Sequence, residues 1–580
     1  MAFDVVAASY QHRERQRGPT WRSVMSGLTF GGMLVYFGMV GILGMFAERW
    51  IIVDVLNLTH TTLLLSAFFA GLLVVRKTGA RRLPAVIAQS LGAGAVTGAM
   101  LAILPLCIHF FTLKKIFITL KKDLFDILVF EQSLATGIFI LIAGGALIGV
   151  IGGLLFCAPE RFKRPLFTGL IWAFFVGLFQ ELIQLLMQYD FLISTSELFF
   201  NWDGLLVRGF VIVFVIAAIA RAVWDAHKAR VRETMDGLDV SGRRVVRGVQ
   251  IVCAIILIIG FPAFAGNFIG QVLMLVGLYV LMGMGLNLEL GLAGLLDLGF
   301  VAFFAVGAYT TALLTSESDM AIAHLSYWQV LPIAVILSVA VGVLFGVPVL
   351  RVRGDYLAVA TLGLGEIVRV LVLSDFAAPV LGGAQGILSI PRPVVGSIEL
   401  DDPVDLFYLT LVCASLAAYV AWRLENSRLG RAWTAIRDDE DVAQALGINL
   451  VNVKLLAYGL GAAFAGVAGS IFAVMLASIF PHSFQLLISI NVLALLIVGG
   501  MGSIPGVVVG AAALIGLPEL LREFGEFRFL FYGATIVIMM RVKAEGLWPS
   551  AAKKREKQLD KESVAAVEAE LQGTSSEKSN

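Results

Sequence analysis

Apolar runs of about twenty residues, the length of helix that crosses a bilayer core of roughly 30 Å, alternate along this chain with short blocks in which the charges gather. The first part predicts about six transmembrane helices, near residues 27–46, 61–75, 84–110, 134–157, 165–187 and 205–220. The polar stretch from Arg221 to Gln250, RAVWDAHKARVRETMDGLDVSGRRVVRGVQ, then mixes both charge signs with Gly237 and Gly242 and marks the best domain boundary. Beyond it the pattern predicts about ten further crossings, near 251–265, 269–285, 295–314, 330–350, 356–373, 406–422, 455–480, 486–500, 506–521 and 529–540. The expected fold is therefore an all-α polytopic membrane protein of about sixteen transmembrane helices. Its parts are an N-terminal membrane region (1–220), a cytoplasmic polar linker (221–249), a second membrane domain (250–550) and a polar cytoplasmic tail (551–580).

Loop charges orient the chain. With the N-terminus in the cytoplasm, the inside loops hold Arg13, Arg15, Arg17 and Arg22, then Arg76, Lys77, Arg81 and Arg82, then Arg161, Lys163 and Arg164, followed by the basic linker. The outside loops hold Arg49 and one dissenting cluster, Lys114, Lys115, Lys121 and Lys122, in a long amphipathic loop suited to the membrane interface. An even number of crossings returns the C-terminus to the cytoplasm, where Lys553, Lys554 and Arg555 open the tail. Outside loops such as the one with Glu317 and Asp319 are acidic or neutral, as that orientation requires. The first 26 residues are too long and polar for a secretory n-region, and no small-residue cleavage pattern follows the first run, which predicts an uncleaved signal anchor.

Composition excludes a soluble globular protein: 59% of the 580 residues are hydrophobic and 15% charged, with a mean hydropathy of +0.89. Cys107, Cys157, Cys253 and Cys413 lie in or beside apolar runs without metal or disulfide spacing, and six histidines are scattered without i, i+4 pairing, so no metal site is expected. No Gly is followed directly by Lys, so the phosphate-binding loop G-x-x-x-x-G-K-[ST] is missing and this chain carries no ATPase site of its own. No nucleophile, base and metal constellation supports a membrane-embedded enzyme.

Three stretches carry candidate chemistry. In GLNLELGLAGLLDLGFVAFFAVGAY (285–309), Asn287, Glu289 and Asp297 interrupt apolar sequence beside Gly291 and Gly294. Polar groups at membrane depth are costly unless paired or facing a wet cavity, so Asn287, Gly291, Gly294 and Asp297 are candidate pathway residues; the alternative is that they cap helices at the end of a hairpin. In RVRGDYLAVATLGLGEIVRVLV (351–372), Arg351 and Arg353 suit interfacial anchors, and Glu366 and Arg369 lie three apart on one face, where they can neutralise each other. The polar loop RLENSRLGRAWTAIRDDEDVAQALGINLVNVK (423–454) repeats Trp433, Ile436, Ala443 and Leu446 at helical spacing, with Asp438 to Asp441 fit to cap a helix and Gly447 to stop one. Either a partner protein or the membrane surface must cover that apolar face. Glycines four apart, Gly145 with Gly149 and Gly502 with Gly506 and Gly510, allow close helix packing.

Four stretches in order, GLNLELGLAGLLDLGFVAFFAVGAY, RVRGDYLAVATLGLGEIVR, GRAWTAIRDDEDVAQALGIN and IVGGMGSIPGVVVGA, closely resemble the LivM permease subunits of bacterial branched-chain amino acid ABC importers, over roughly 249–548. The resemblance makes 250–550 an ABC importer permease domain in a multi-pass protein of the bacterial inner membrane. It implies that residues 431–449 form the loop docking on the ATP-binding subunit, with Arg431, Trp433, Ile436, Glu440, Asp441, Ala443, Leu446 and Gly447 as its elements. The family's Glu-Ala-Ala…Gly core stands here as Asp441-Val442-Ala443…Gly447, so the acid is shortened or its role passes to Glu440. Implied partners are a second, LivH-like permease, two ATP-binding subunits (LivG/LivF-like), an extracytoplasmic binding protein and membrane lipid, with no nucleic acid. No cofactor is bound by this chain, and ATP is used by the partner subunits. Leucine, isoleucine and valine lead as substrates; urea, short amides and other amino acids stay open, as does a self-sufficient secondary transporter, which the exposed loop and the missing repeat with midplane acids oppose. The six-helix N-terminal region is longer than the family's own extension and points to no activity.

Overall fold

The computed structural model describes residues 19–79, 82–110, 122–187, 193–201, 204–236, 240–352, 354–522, 527–543, 545–550, 555 and 559. Arg13, Arg15, Arg17, Arg81, Lys114, Lys115, Lys121, Gly237, Arg353, Lys553, Lys554 and nearly all of the tail lie outside the described residues. The chain divides into two compact units, Met1–Gln250 and Ile251–Asn580.

The first unit is built from α1 (Pro19–Val40), α2 (Leu58–Thr78), α3 (Leu83–Leu101), α4 (Leu134–Cys157), α5 (Glu160–Leu178) and α6 (Val207–Asp236). Local chemistry sets several ends. Asn57 accepts from the His60 amide and Ser133 from the Thr136 amide, each capping a start. Gly79, at φ 67°, closes α2 in the left-handed region. Apolar matching between these helices is no driving force in lipid, so they associate through backbone approach. Methyl groups added at Gly145 and Gly149 would lie 2.7 Å from the Gly94 carbonyl oxygen and 2.6 Å from that of Ser90. Gly71 of α2 meets the Gly149 backbone in the same way, so α2, α3 and α4 share one glycine-lined crossing. The polar stretch after Arg221 continues α6 as helix as far as Asp236.

The crossing expected at 165–187 is divided, with α5 ending at Leu178 and a short helix Gln180–Leu186 following. Gln180 accounts for the division. Its amide donates to the Trp50 carbonyl at 2.9 Å and accepts from the Leu205 amide at 2.8 Å, tying two small hairpins, Trp50–Ile52 with Leu56–Asn57 and Phe200–Asn201 with Gly204–Leu205.

The second unit contains α7 (Val240–Leu286, starting before the boundary), α8 (Val301–Thr315), α9 (Tyr327–Val349), α10 (Asp355–Leu373), α11 (Pro403–Glu425), α12 (Arg428–Asp438), α13 (Glu440–Ala445), α14 (Leu450–Leu476), α15 (Leu486–Gly499), α16 (Ile504–Ala511) and α17 (Phe527–Val542). Within α7 two helices meet at Gly266, whose φ of 82° excludes a continuous helix. At the centre α14 packs on α8 and α9, with Gly307 against Gly466 and Gly469 against the Phe304 carbonyl. Rings fill the remaining space: Phe303 on Tyr458, and Phe304 with Phe472 and Phe484. With fifteen residues, α8 is about 22 Å long and nearly all buried, a core helix rather than a full crossing.

Among the described residues, eleven helices are long and apolar enough to cross a membrane, with two shorter apolar ones at Val301–Thr315 and Ile504–Leu520. The protein is thus a polytopic helical membrane protein, and sixteen full spans exceed what these lengths supply. The expected runs at 251–265 and 269–285 fall within the broken stretch Val240–Leu286, and the run at 506–521 is interrupted by a wide turn at Ala512–Gly516.

A substitution pair tests the glycine crossing. Gly94→Val pushes a branched side chain into the α4 backbone and is expected to cost about 1–3 kcal/mol. Gly144, one position from Gly145 with open space around its Cα, should accept Val within about 0.5 kcal/mol. Thermal unfolding of the purified protein in one detergent compares the two, and equal melting temperatures would remove this account of the packing.

Candidate functional site at a broken helix

The helix that ends at Leu286 does not simply stop. Residues Asn287–Leu292 form a wide turn in which the Ala293 amide donates to the Leu288 carbonyl five residues back and the Leu295 amide to the Glu289 carbonyl. Such widened turns free backbone groups and concentrate at functional positions. Gly294 then turns the chain at φ 73° before α8 begins at Val301.

Hydrogen bonds running in both directions tie the break to distant segments. The Arg437 Nη1, from the last turn of α12, donates to the Gly291 carbonyl at 2.6 Å, and the stem of Arg437 packs on Gly294. The Asn287 Oδ1 accepts from the Gly502 amide at 2.8 Å. A side chain at Gly291 would collide with Asn287 and lie 2.7 Å from the Gly502 amide nitrogen, so the close approach of the two loops requires glycine there. Thus the break, the loop 423–454 and the turn before α16 meet at one junction.

Of the candidate pathway residues, Asn287 (3% exposed) and Asp297 (1%) are enclosed by protein. Asp297 accepts from the Gly299 amide at 2.7 Å, and the Thr361 hydroxyl oxygen accepts from the Leu298 amide at 3.0 Å. Asp297 also faces Glu289 and Tyr458, and the Glu289 side chain lies against Gly461 of α14. These positions therefore act as the internal frame of the junction. Gly506 and Gly510 pack on α15, a methyl at Gly506 falling 2.8 Å from the Gly500 carbonyl oxygen. Gly502, by contrast, sits before the α16 start at φ 74° and serves the turn rather than the helix face.

The loop folds as the two short helices α12 and α13. Ser427 caps α12 by accepting from the Leu429 and Gly430 amides; Asp439 caps α13 by accepting from the Asp441 and Val442 amides at 2.9 and 3.0 Å. Gly447, at φ 88°, ends α13. Trp433, Ile436 and Ala443 are buried at 0, 2 and 1% exposure, and the Trp433 indole donates to the Val453 carbonyl at 2.8 Å. The apolar stripe is therefore covered by this chain's own α11 and α14, not held open for a partner or for lipid. Leu446, 76% exposed, departs from that stripe and joins Arg431, Asp441 and Val442 on the outer face. Glu440 is engaged inward, its carboxylate 2.5 Å from the Lys454 ammonium. Arg437 was not among the expected residues, although its position one turn beyond Trp433 in the same motif was the available signal.

The Lys454 side chain is 5% exposed, so removing it takes from Glu440 a buried opposite charge. Lys454→Met should raise amide hydrogen exchange across Glu440–Ala445 by about tenfold or more, and adding Glu440→Leu should reverse most of the rise. Unchanged protection in the single variant would show that the pair does not hold α13.

The family described as branched-chain amino acid transport system / permease component matches residues 268–540, which contain the whole junction. The chain is 33% identical over 416 residues to the high-affinity branched-chain amino acid transport system permease protein LivM of Salmonella typhimurium, covering 67% of this chain and 95% of the relative. It is 35% identical over 333 residues to the LivM protein of Escherichia coli, covering 53% and 77%, and 28% identical over 176 residues to the Salmonella typhimurium permease LivH, covering 30% and 55%. No solved structure matches. With nearly the full length of a LivM protein aligned and the junction inside the matched region, the chain belongs to the LivM type of branched-chain amino acid ABC transporter permeases.

Proposed function

We propose that this chain is the translocation subunit of an ATP-driven importer of leucine, isoleucine and valine, in the inner membrane of a bacterium. It pairs with a LivH-like permease, receives substrate from an extracytoplasmic binding protein, and is driven by two separate ATP-binding subunits; it binds no cofactor itself. Both termini and the loop 423–454 lie in the cytoplasm in an arrangement of about sixteen crossings, counting short and broken helices. The observation that carries the reading is the Arg437 link. A rigid two-helix loop whose exposed rim holds Arg431, Val442 and Leu446 is bonded at its inner side to the break between α7 and α8. Motion imposed on the rim by an ATPase reaches the helix ends at membrane depth through Arg437 and through the Trp433 bond to α14. The likeness to LivM and LivH proteins supports the permease pairing and the substrate class.

Leu446→Asp changes the rim without touching the buried stripe. In proteoliposomes holding the full assembly with loaded binding protein, it should lower ATP-dependent leucine uptake about tenfold or more and weaken retention of the ATP-binding subunits. Arg437→Gln should leave those subunits attached and hydrolysing ATP while uptake falls by a similar factor. Leucine uptake that proceeds equally without the ATP-binding subunits would sink the ATP-driven reading.

A further inference from the structure

The first unit carries a charged cleft that has no part in the junction or the rim. It opens between α5 and α6, beyond the point where these helices cross. At the crossing, Gly169 of α5 lies so close to α6 that an added methyl group would fall 2.8 Å from the Phe214 carbonyl oxygen. From there the helices run about 12 Å to Arg161 and about 16 Å to Asp225. The space left between these ends measures about 790 Å³ and is lined by Glu160, Arg161, Arg164, Pro165, Asp225 and Lys228 with two alanines. That is room enough for a small polar headgroup.

The cleft lies where helices leave the bilayer. α4 ends at Cys157 and α5 starts at Glu160, while the apolar span Val207–Lys228 ends in the opposite wall. Almost none of that span is buried by protein, and Trp224, 53% exposed, stands beside the cleft at the level favoured by tryptophan. The charges within the cleft do not balance. Arg164 Nε donates to Glu160 at 2.9 Å and Arg221 Nε to Asp225 at 3.2 Å, so each carboxylate already has its cation. Arg161 and Lys228 are exposed and have no hydrogen bond or ion pair among the described residues. Two uncompensated cations, one from each wall, therefore share one cavity.

We propose that this cleft binds the headgroup of an anionic phospholipid. A phosphodiester spreads its negative charge over its free oxygens; Arg161 meets these through its fork and Lys228 as a point charge. A headgroup without an ammonium, such as that of phosphatidylglycerol, fits the surplus of positive charge. Phosphatidylcholine does not, because its own cation cancels the phosphate. The acyl chains follow the apolar stripes that run inward from the two walls, past Ile171 at 63% and Ile219 at 58% exposure. Free phosphate offers the same charge, but the lipid presents it at the depth of the cleft and adds the hydrocarbon contact.

Mass spectrometry of the intact full-length chain in detergent, titrated with phosphatidylglycerol or phosphatidylcholine, tests the site. Arg161→Gln with Lys228→Gln should weaken the tightest phosphatidylglycerol binding about tenfold or more. Both positions are exposed, so the melting temperature without lipid should stay that of the wild type. Asp225→Asn, which frees Arg221 for the phosphate, should tighten the same binding several-fold. Equal affinity of the double variant and the wild type for phosphatidylglycerol overturns the site, and so does phosphatidylcholine bound as tightly as phosphatidylglycerol. Inorganic phosphate at the concentration of the lipid should displace none of it; displacement would make the ligand a soluble anion and overturn the lipid assignment. Uptake plays no part in this readout, so the result stands whatever the permease carries.

Discussion

A helix interrupted within a membrane protein frees carbonyl and amide groups that lipid cannot satisfy, and meeting that demand organises the second unit. The Gly291 carbonyl is met by Arg437 and the Gly502 amide by Asn287. Because the two partners come from segments far apart in sequence, the break cannot be satisfied until α12, α16 and the α7 end have assembled. Glycine at 291 and 294 is needed for the same reason, since any side chain would fall on Asn287 or on Arg437. Asn287 and Asp297 are buried at the same junction.

The sequence made the membrane class, the approximate helix positions and the polar loop legible, because long apolar runs and charge blocks are local signals. The α12 and α13 caps at Ser427 and Asp439 and the stop at Gly447 were similarly readable, being set by residues within one turn. What could not be read was where distant segments meet. Trp433 and Ile436 have the periodicity of an exposed amphipathic helix, and only tertiary packing on α11 and α14 shows that the chain covers them itself. Gly502, Gly506 and Gly510 have uniform spacing, yet a helix start at Ile504 separates the first from the other two. The division of the run at 165–187 depends on Gln180 reaching two hairpins remote in sequence, which no periodicity encodes.

The first unit is held by a different economy of contacts. Its helices α2, α3 and α4 meet backbone to backbone along Gly71, Gly94, Gly145 and Gly149, so the interface has few side chains to rearrange. Close backbone approach of this kind resists sliding, since any shift along the axis brings a larger residue into a carbonyl. The second unit instead combines glycine contacts with a ring cluster around Phe304 and Phe484. Rings can rotate within such a cluster without separating the helices.

The covered underside of the loop helices bears on the kinetics of assembly. With Trp433 bonded to Val453 and Glu440 to Lys454, the outer rim of the loop is positioned by this chain's own contacts. In the proposed coupling role, an encounter at such a surface needs no folding step and loses little chain entropy on contact, so recognition falls to the handful of side chains on the outer rim. A surface that small, held from beneath by its own chain, can be released and re-engaged repeatedly without unravelling.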